Sequence, residues 1–129
     1  MTILVAFVPR PEGHAAIQKG IEMAKHLNEN LVVVNACAAT GNDESIASAE
    51  EVRNIEAQLA ASGVQAEFKQ FARGNTPGEE IEDLANSRSV TMLIIGIRKR
   101  SPVAKLFLGS VAQEILLTVS CPVLAVKAG

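Results

Sequence analysis

The chain has no tryptophan and no tyrosine, and only 4 of its 129 residues are phenylalanine. Proteins that grip single-stranded nucleic acid stack its bases on aromatic rings, so that class is excluded. The core has to be assembled from Val, Ile, Leu and Ala instead. Excess charge is missing as well: 12 Lys+Arg stand against 14 Asp+Glu, a net −2 at pH 7, which excludes the uniformly basic surface of a general nucleic-acid binder. No apolar run approaches the roughly 20 residues that cross a bilayer. Met1 to Val8 runs straight into Pro9 and Arg10, too short for the apolar stretch of a secretory signal. The expectation is a cytoplasmic protein with neither nucleic acid nor a membrane among its partners. Cysteine is scarce too. Cys37 and Cys121 are too few for a disulfide framework and lack metal-ligand spacing, so two free thiols in a reducing compartment are expected. What remains, 48% hydrophobic and 20% charged, is the composition of one globular domain.

Five short runs rich in branched residues read as strands: Ile3 to Val8, Leu31 to Ala36, Val64 to Phe71, Thr91 to Ile95, and Val123 to Val126. Four segments between them have helical spacing. The first places Ile17, Gly20, Ile21, Ala24 and Leu27 on one stripe, and the second Ile46, Ala49, Val52, Ile55 and Leu59. The third opens with Thr76 as N-cap, Pro77 at the first helical position and Glu79 reaching back, with Ile81, Leu84 and Ala85 facing inward. The fourth repeats the device with Ser110 and Gln113, and buries Ile115, Leu116 and Val119. Gly63 ends the second helix. Ala38 to Glu44 reads as a short loop, and no linker, repeat or second domain interrupts the chain.

Strict alternation of strand and helix implies a doubly wound α/β domain, a parallel sheet with right-handed crossovers and helices on both faces. The third strand alternates apolar with polar residues and suits a sheet edge, whereas strands 1, 2 and 4 are near-continuous apolar runs, as burial on both faces demands. Ligands bind such sheets at the carboxyl ends of the strands, where the strand order reverses. The loop after the fourth strand stands out there. Residues 96 to 110 carry Arg98, Lys99, Arg100 and Lys105 and no acid, which leaves the rest of the chain at −6. A cationic loop running into a helix N-terminus at Gly109 and Ser110 suits a phosphate group, because backbone amides, the helix dipole and basic side chains all favour an anion. The plainer alternative makes Gly96 and Gly109 turn residues, Ser110 a cap and the cations a solvated face.

Spacing within that loop resembles the nucleotide motif of the universal stress proteins, small α/β domains that often bind ATP. The motif has a glycine, a second three residues on, and a third ten beyond, followed by Ser or Thr; Gly96, Lys99, Gly109 and Ser110 fall at these positions. Ser120-Cys121-Pro122-Val123-Leu124-Ala125-Val126 resembles the family's last strand, and Arg73-Gly74-Asn75-Thr76-Pro77 its third strand-to-helix junction. The resemblance covers nearly the whole chain. It implies a five-stranded sheet of order 3-2-1-4-5 with four helices, and ATP or another adenine nucleotide, with Mg²⁺, as ligand. The adenine would lie near Val8 and Ala36, and the phosphates near Gly96, Arg98, Lys99, Gly109, Ser110 and Val111. It also implies a homodimer formed through Val123 to Val126, a short apolar edge strand guarded only by Lys127. Two positions depart from the family. Val8 stands where nucleotide-holding members have an aspartate, and Lys99 replaces the middle glycine, so its side chain either blocks the phosphate or contributes an ammonium.

Other chemistry finds little support. Neither a phosphate loop ending in Gly-Lys-Ser/Thr nor a Gly-x-Gly-x-x-Gly turn occurs. A response-regulator reading fails for want of acidic residues after the first and third strands. His14 and His26 lack ligand partners at helical spacing and read as surface residues. Cys37 and Cys121 fall at opposite ends of the sheet, about 15 Å apart; Cys37 is either a reactive thiol near the site or a small apolar filler. Ser110 as a nucleophile has no histidine beside it. The expectation is an adenine-nucleotide-binding stress-response module. The same fold working through its surface without nucleotide is the alternative, and slow phosphohydrolysis, with Glu12 as a remote base, is the third.

Overall fold

A computed structural model describes residues 1–36, 46–71, 77–87, 89–97 and 110–128. The loop expected at 38–44, the Thr76 cap and residues 98–109 fall outside them. The elements follow as β1 (Thr2–Ala6), α1 (Pro11–Leu27), β2 (Asn30–Ala36), α2 (Ala49–Ala61), β3 (Ala66–Phe71), α3 (Pro77–Ser87), β4 (Val90–Ile97), α4 (Ser110–Thr118) and β5 (Val123–Lys127). All strand pairs are parallel and the order is β3-β2-β1-β4-β5, the doubly wound arrangement expected, with β3 at an edge.

Alternation along the inner strands sends side chains to opposite faces. Ile3, Val5 and Phe7 of the first strand and its extension join Leu31, Val33 and Ile94 beneath Ala16, Ile17 and Ala24 of α1 and Ile55 and Leu59 of α2. On the other face Leu4, Val32, Val34, Leu93 and Ile95 pack under Ile81 and Ala85 of α3 and Ile115 of α4. Each of these large side chains is 3% exposed or less, a contribution of about 1.5–3 kcal/mol apiece before entropy is counted. Helix ends are set locally. Ser48 and Glu51 form a reciprocal capping box at the start of α2, and Gly63, at φ +81°, turns the chain out of its C-terminus as expected.

Three expected core residues lie outside the core. Leu27 is 43% exposed because the 17-residue α1 is about 25 Å long and overhangs the 5-residue β1, about 16 Å long. Ile46, 37% exposed, precedes α2 rather than opening it, since the capping box starts the helix at Ala49. Leu116 is 45% exposed: among the described side chains of α4 Ile115 is the buried one, and Val119, just past the helix, packs half-buried on the same face. α4 begins at Ser110 itself, one residue earlier than a cap at that position requires.

Candidate functional site

The strand order reverses at β1. The β1–α1–β2 crossover leaves over one face of the sheet and β4–α4–β5 over the other, so the two connections part at the carboxyl edge between β1 and β4. The structure brings the ends that carry most of the expected site to this edge. Ala6 is in register with Val34 and Ile95. Val8 and Ala36 each lie two residues beyond that last register pair, at the exits of β1 and β2, and Gly96 lies one residue beyond Ile95 on β4. Ser110 and Val111 open α4, which follows the carboxyl end of β4 and leads back to the amino end of the parallel strand β5. Arg98, Lys99 and Gly109 lie outside the described residues.

Glycine in this corner is required by packing. A Cβ on Gly96 would overlap the backbone carbonyl of Glu12, and one on Gly13 the carbonyl of Val8. The first turn of α1 thus nests against the end of β4 and the exit of β1, backbone on backbone. The Val8 carbonyl also accepts the amide of Arg10 (2.8 Å), and the Arg10 carbonyl accepts those of Gly13 and His14 (2.9 and 3.1 Å). Val8 itself is half-buried, and Glu12 is 6% exposed within that first turn.

Across β1, β2 and β3 the edge is closed by side-chain amides that the sequence reading missed. Asn35 is fully buried. Its amide donates to the Phe7 carbonyl (3.1 Å), and its oxygen accepts both the Ala47 backbone amide and the Gln70 side chain (2.9 Å each). Gln70 donates a second bond to the Ala47 carbonyl (3.1 Å). The available signal was one polar residue inside Leu31 to Ala36, an otherwise apolar run. Below this network the Phe7 ring meets Phe68 and the exposed His14 edge-on, at 6.3 and 5.2 Å.

The remaining candidates have little chemistry of their own. His26 is exposed, as expected. Cys121 is a free, half-buried thiol ahead of β5, and burial pushes its pKa up from the ordinary thiol value; Cys37 lies outside the described residues. Among the described residues no three His, Cys, Asp or Glu converge as a metal site, and no helix is long and apolar enough to cross a membrane.

Comparison with known proteins gives a consistent picture. The sequence profile of the universal stress protein family matches residues 1–127. A universal stress protein of Mycolicibacterium smegmatis is 44% identical over 126 residues, which is 97% of this chain and 96% of its own. Among solved structures, a universal stress protein from Archaeoglobus fulgidus superposes with a TM-score of 0.79 at 29% identity over 98% of each chain. A universal stress protein from the same organism, in complex with dAMP, superposes with a TM-score of 0.67 at 23% identity, again over 98% of each.

Proposed function

The chain belongs to the universal stress protein family, and from that membership we propose that it is an adenine-nucleotide-binding, homodimeric module of the stress response. The observation that carries this reading is the reversal of strand order at β1, next to β4, whose end leads in sequence into the one strongly cationic segment of the chain. Val8 and Ala36 flank the base. Gly96, Arg98, Lys99, Gly109, Ser110 and Val111 serve the phosphates, with Mg²⁺ carried on the phosphates themselves. The dAMP complex of a protein with the same fold lends support by likeness.

Within this reading the residues have unequal weight. Gly96 has a packing reason to be glycine whatever binds, so its identity says nothing about phosphate. Val8 offers an apolar wall where an acid would accept a hydrogen bond, which leaves base and phosphates to supply the affinity. Glu12 is held in the buried first turn of α1, and no other base is assigned, so turnover is left out of the proposal. The dimer forms through β5, a sheet edge whose Leu124 is 37% exposed, pairing with its own copy across a two-fold axis.

Calorimetric titration with ATP, ADP and AMP, with and without Mg²⁺, tests the proposal. Binding should be saturable, should weaken with salt because exposed cations are screened, and should be abolished by Gly109→Val. Lys99→Gly then decides between the two roles of that lysine: weaker binding makes it a phosphate ligand, tighter binding a partial block. No heat with any nucleotide, and an unfolding midpoint that saturating ATP leaves unmoved, would favour a module that works through its surface alone.

A further inference from the structure

The ladder between β1 and β2 ends just where the proposed base site begins. Its register closes at Ala6 and Val34, and one further backbone bond runs from the Phe7 amide to the Val34 carbonyl (2.7 Å). Beyond that point the strands are joined by a side chain: the Asn35 amide donates to the Phe7 carbonyl. The same residue's oxygen takes two donors, one from the backbone ahead of α2 and one from β3. Phe7 and Asn35 immediately precede Val8 and Ala36, the two residues assigned to the base.

From this arrangement, which rests on the nucleotide reading, we propose that Asn35 is the positioning residue of the base half of the site. Its hydrogen bonds set the separation of the β1 and β2 ends on which Val8 and Ala36 stand, and Gln70 braces it from the edge strand. The geometry has no slack. Asn35 is 0% exposed, Ala47 is 4% exposed, and Gln70 uses both amide hydrogens, one on Asn35 and one on Ala47. Buried amides in a network of this kind are costly to leave unpaired and hold their partners to one arrangement. On the phosphate side Gly96 lies against the Glu12 backbone, a contact that involves neither Asn35 nor Gln70. Loss of Asn35 is therefore expected to act on the base and spare the phosphates.

The test compares adenosine, AMP and inorganic tripolyphosphate as titrants of the full chain, in wild type, Asn35→Leu and Gln70→Leu. Leucine has the branched outline and the number of side-chain heavy atoms of asparagine and removes its side-chain hydrogen bonds. In Asn35→Leu, affinity for adenosine and AMP should fall about tenfold or more, the scale of a misplaced contact, with tripolyphosphate held within about twofold. Gln70→Leu, at an exposed edge position that should fold readily, should move adenosine and AMP in the same direction by about threefold. Equal losses for tripolyphosphate and adenosine would make Asn35 a general stabilising residue and overturn the proposal. So would unchanged adenosine affinity in Gln70→Leu and in a folded Asn35→Leu. A wild-type chain that binds none of the three titrants removes the nucleotide reading itself, a result distinct from variants that bind as wild type does.

Discussion

The two halves of the sheet are held together in different ways at the edge where a ligand would sit. On the β3–β2–β1 side, side-chain amides from Asn35 and Gln70 tie three strands to the start of α2. On the β4 side the tie is backbone against backbone, where the Gly96 position admits the carbonyl of Glu12. The outer margins differ as well. β3 carries Glu67, Lys69 and Gln70 among its apolar residues, whereas β5 reads Val123-Leu124-Ala125-Val126 before Lys127. One half is closed and guarded, and the other is close-packed at its inner corner and open at its outer strand. Such an asymmetry leaves β5 as the edge strand with fewer guards against pairing.

The largest effect should come from filling the close-packed corner. Gly96→Ala puts a methyl group into the Glu12 backbone, which has no rotamer to yield; destabilisation of about 3 kcal/mol, or about 10 °C in midpoint, is expected in thermal unfolding. Gly63→Ala is the control. It has no atom within 4 Å of the new methyl and only its φ of +81° to oppose it, so about 1 kcal/mol is expected. Equal losses at the two glycines would mean that the corner yields and that the contrast between the halves is false.

Next in size is the open strand. Leu124→Lys gives β5 the guard that β3 already has, and sedimentation of the 13.6 kDa chain should shift from dimer to monomer. A dimer that survives moves the interface to another surface. The smallest effect belongs to the guarded edge. Lys69 and Glu67 stand 3.9 Å apart with side chains 30% and 49% exposed, so Glu67→Gln should change stability by less than about 0.5 kcal/mol. A larger loss would show that β3 depends on that pair and is more than a solvated margin.

Much of this contrast was legible beforehand, for local reasons. The polar alternation of Val64 to Phe71 marks an edge strand, and the structure has it there. The apolar run of the fourth strand marks a centre, and β4 lies between β1 and β5. Leu27, Ile46 and Leu116 were misread because periodicity counts residues and carries no information about how far a helix overhangs its sheet. Asn35 was visible as an oddity in an apolar run, but its partners come from residues 28, 12 and 35 positions away along the chain, a relation that no local pattern contains.

The sequence by itself determined the class of fold and the family. The class of fold follows from strand and helix periods and the order in which they alternate, and the family from the resemblance carried by Gly96, Lys99, Gly109 and Ser110 and by the segments at Arg73 to Pro77 and Ser120 to Val126. Tertiary structure alone decided why particular residues are what they are. Gly96 falls at a motif glycine position and is also required by the packing of the first turn of α1; Asn35, one polar residue in an apolar run, ties β2 to β1, to β3 and to the start of α2. Both results depend on distances between segments far apart in sequence, and those distances exist only once the sheet has closed its register and the helices have packed down on it.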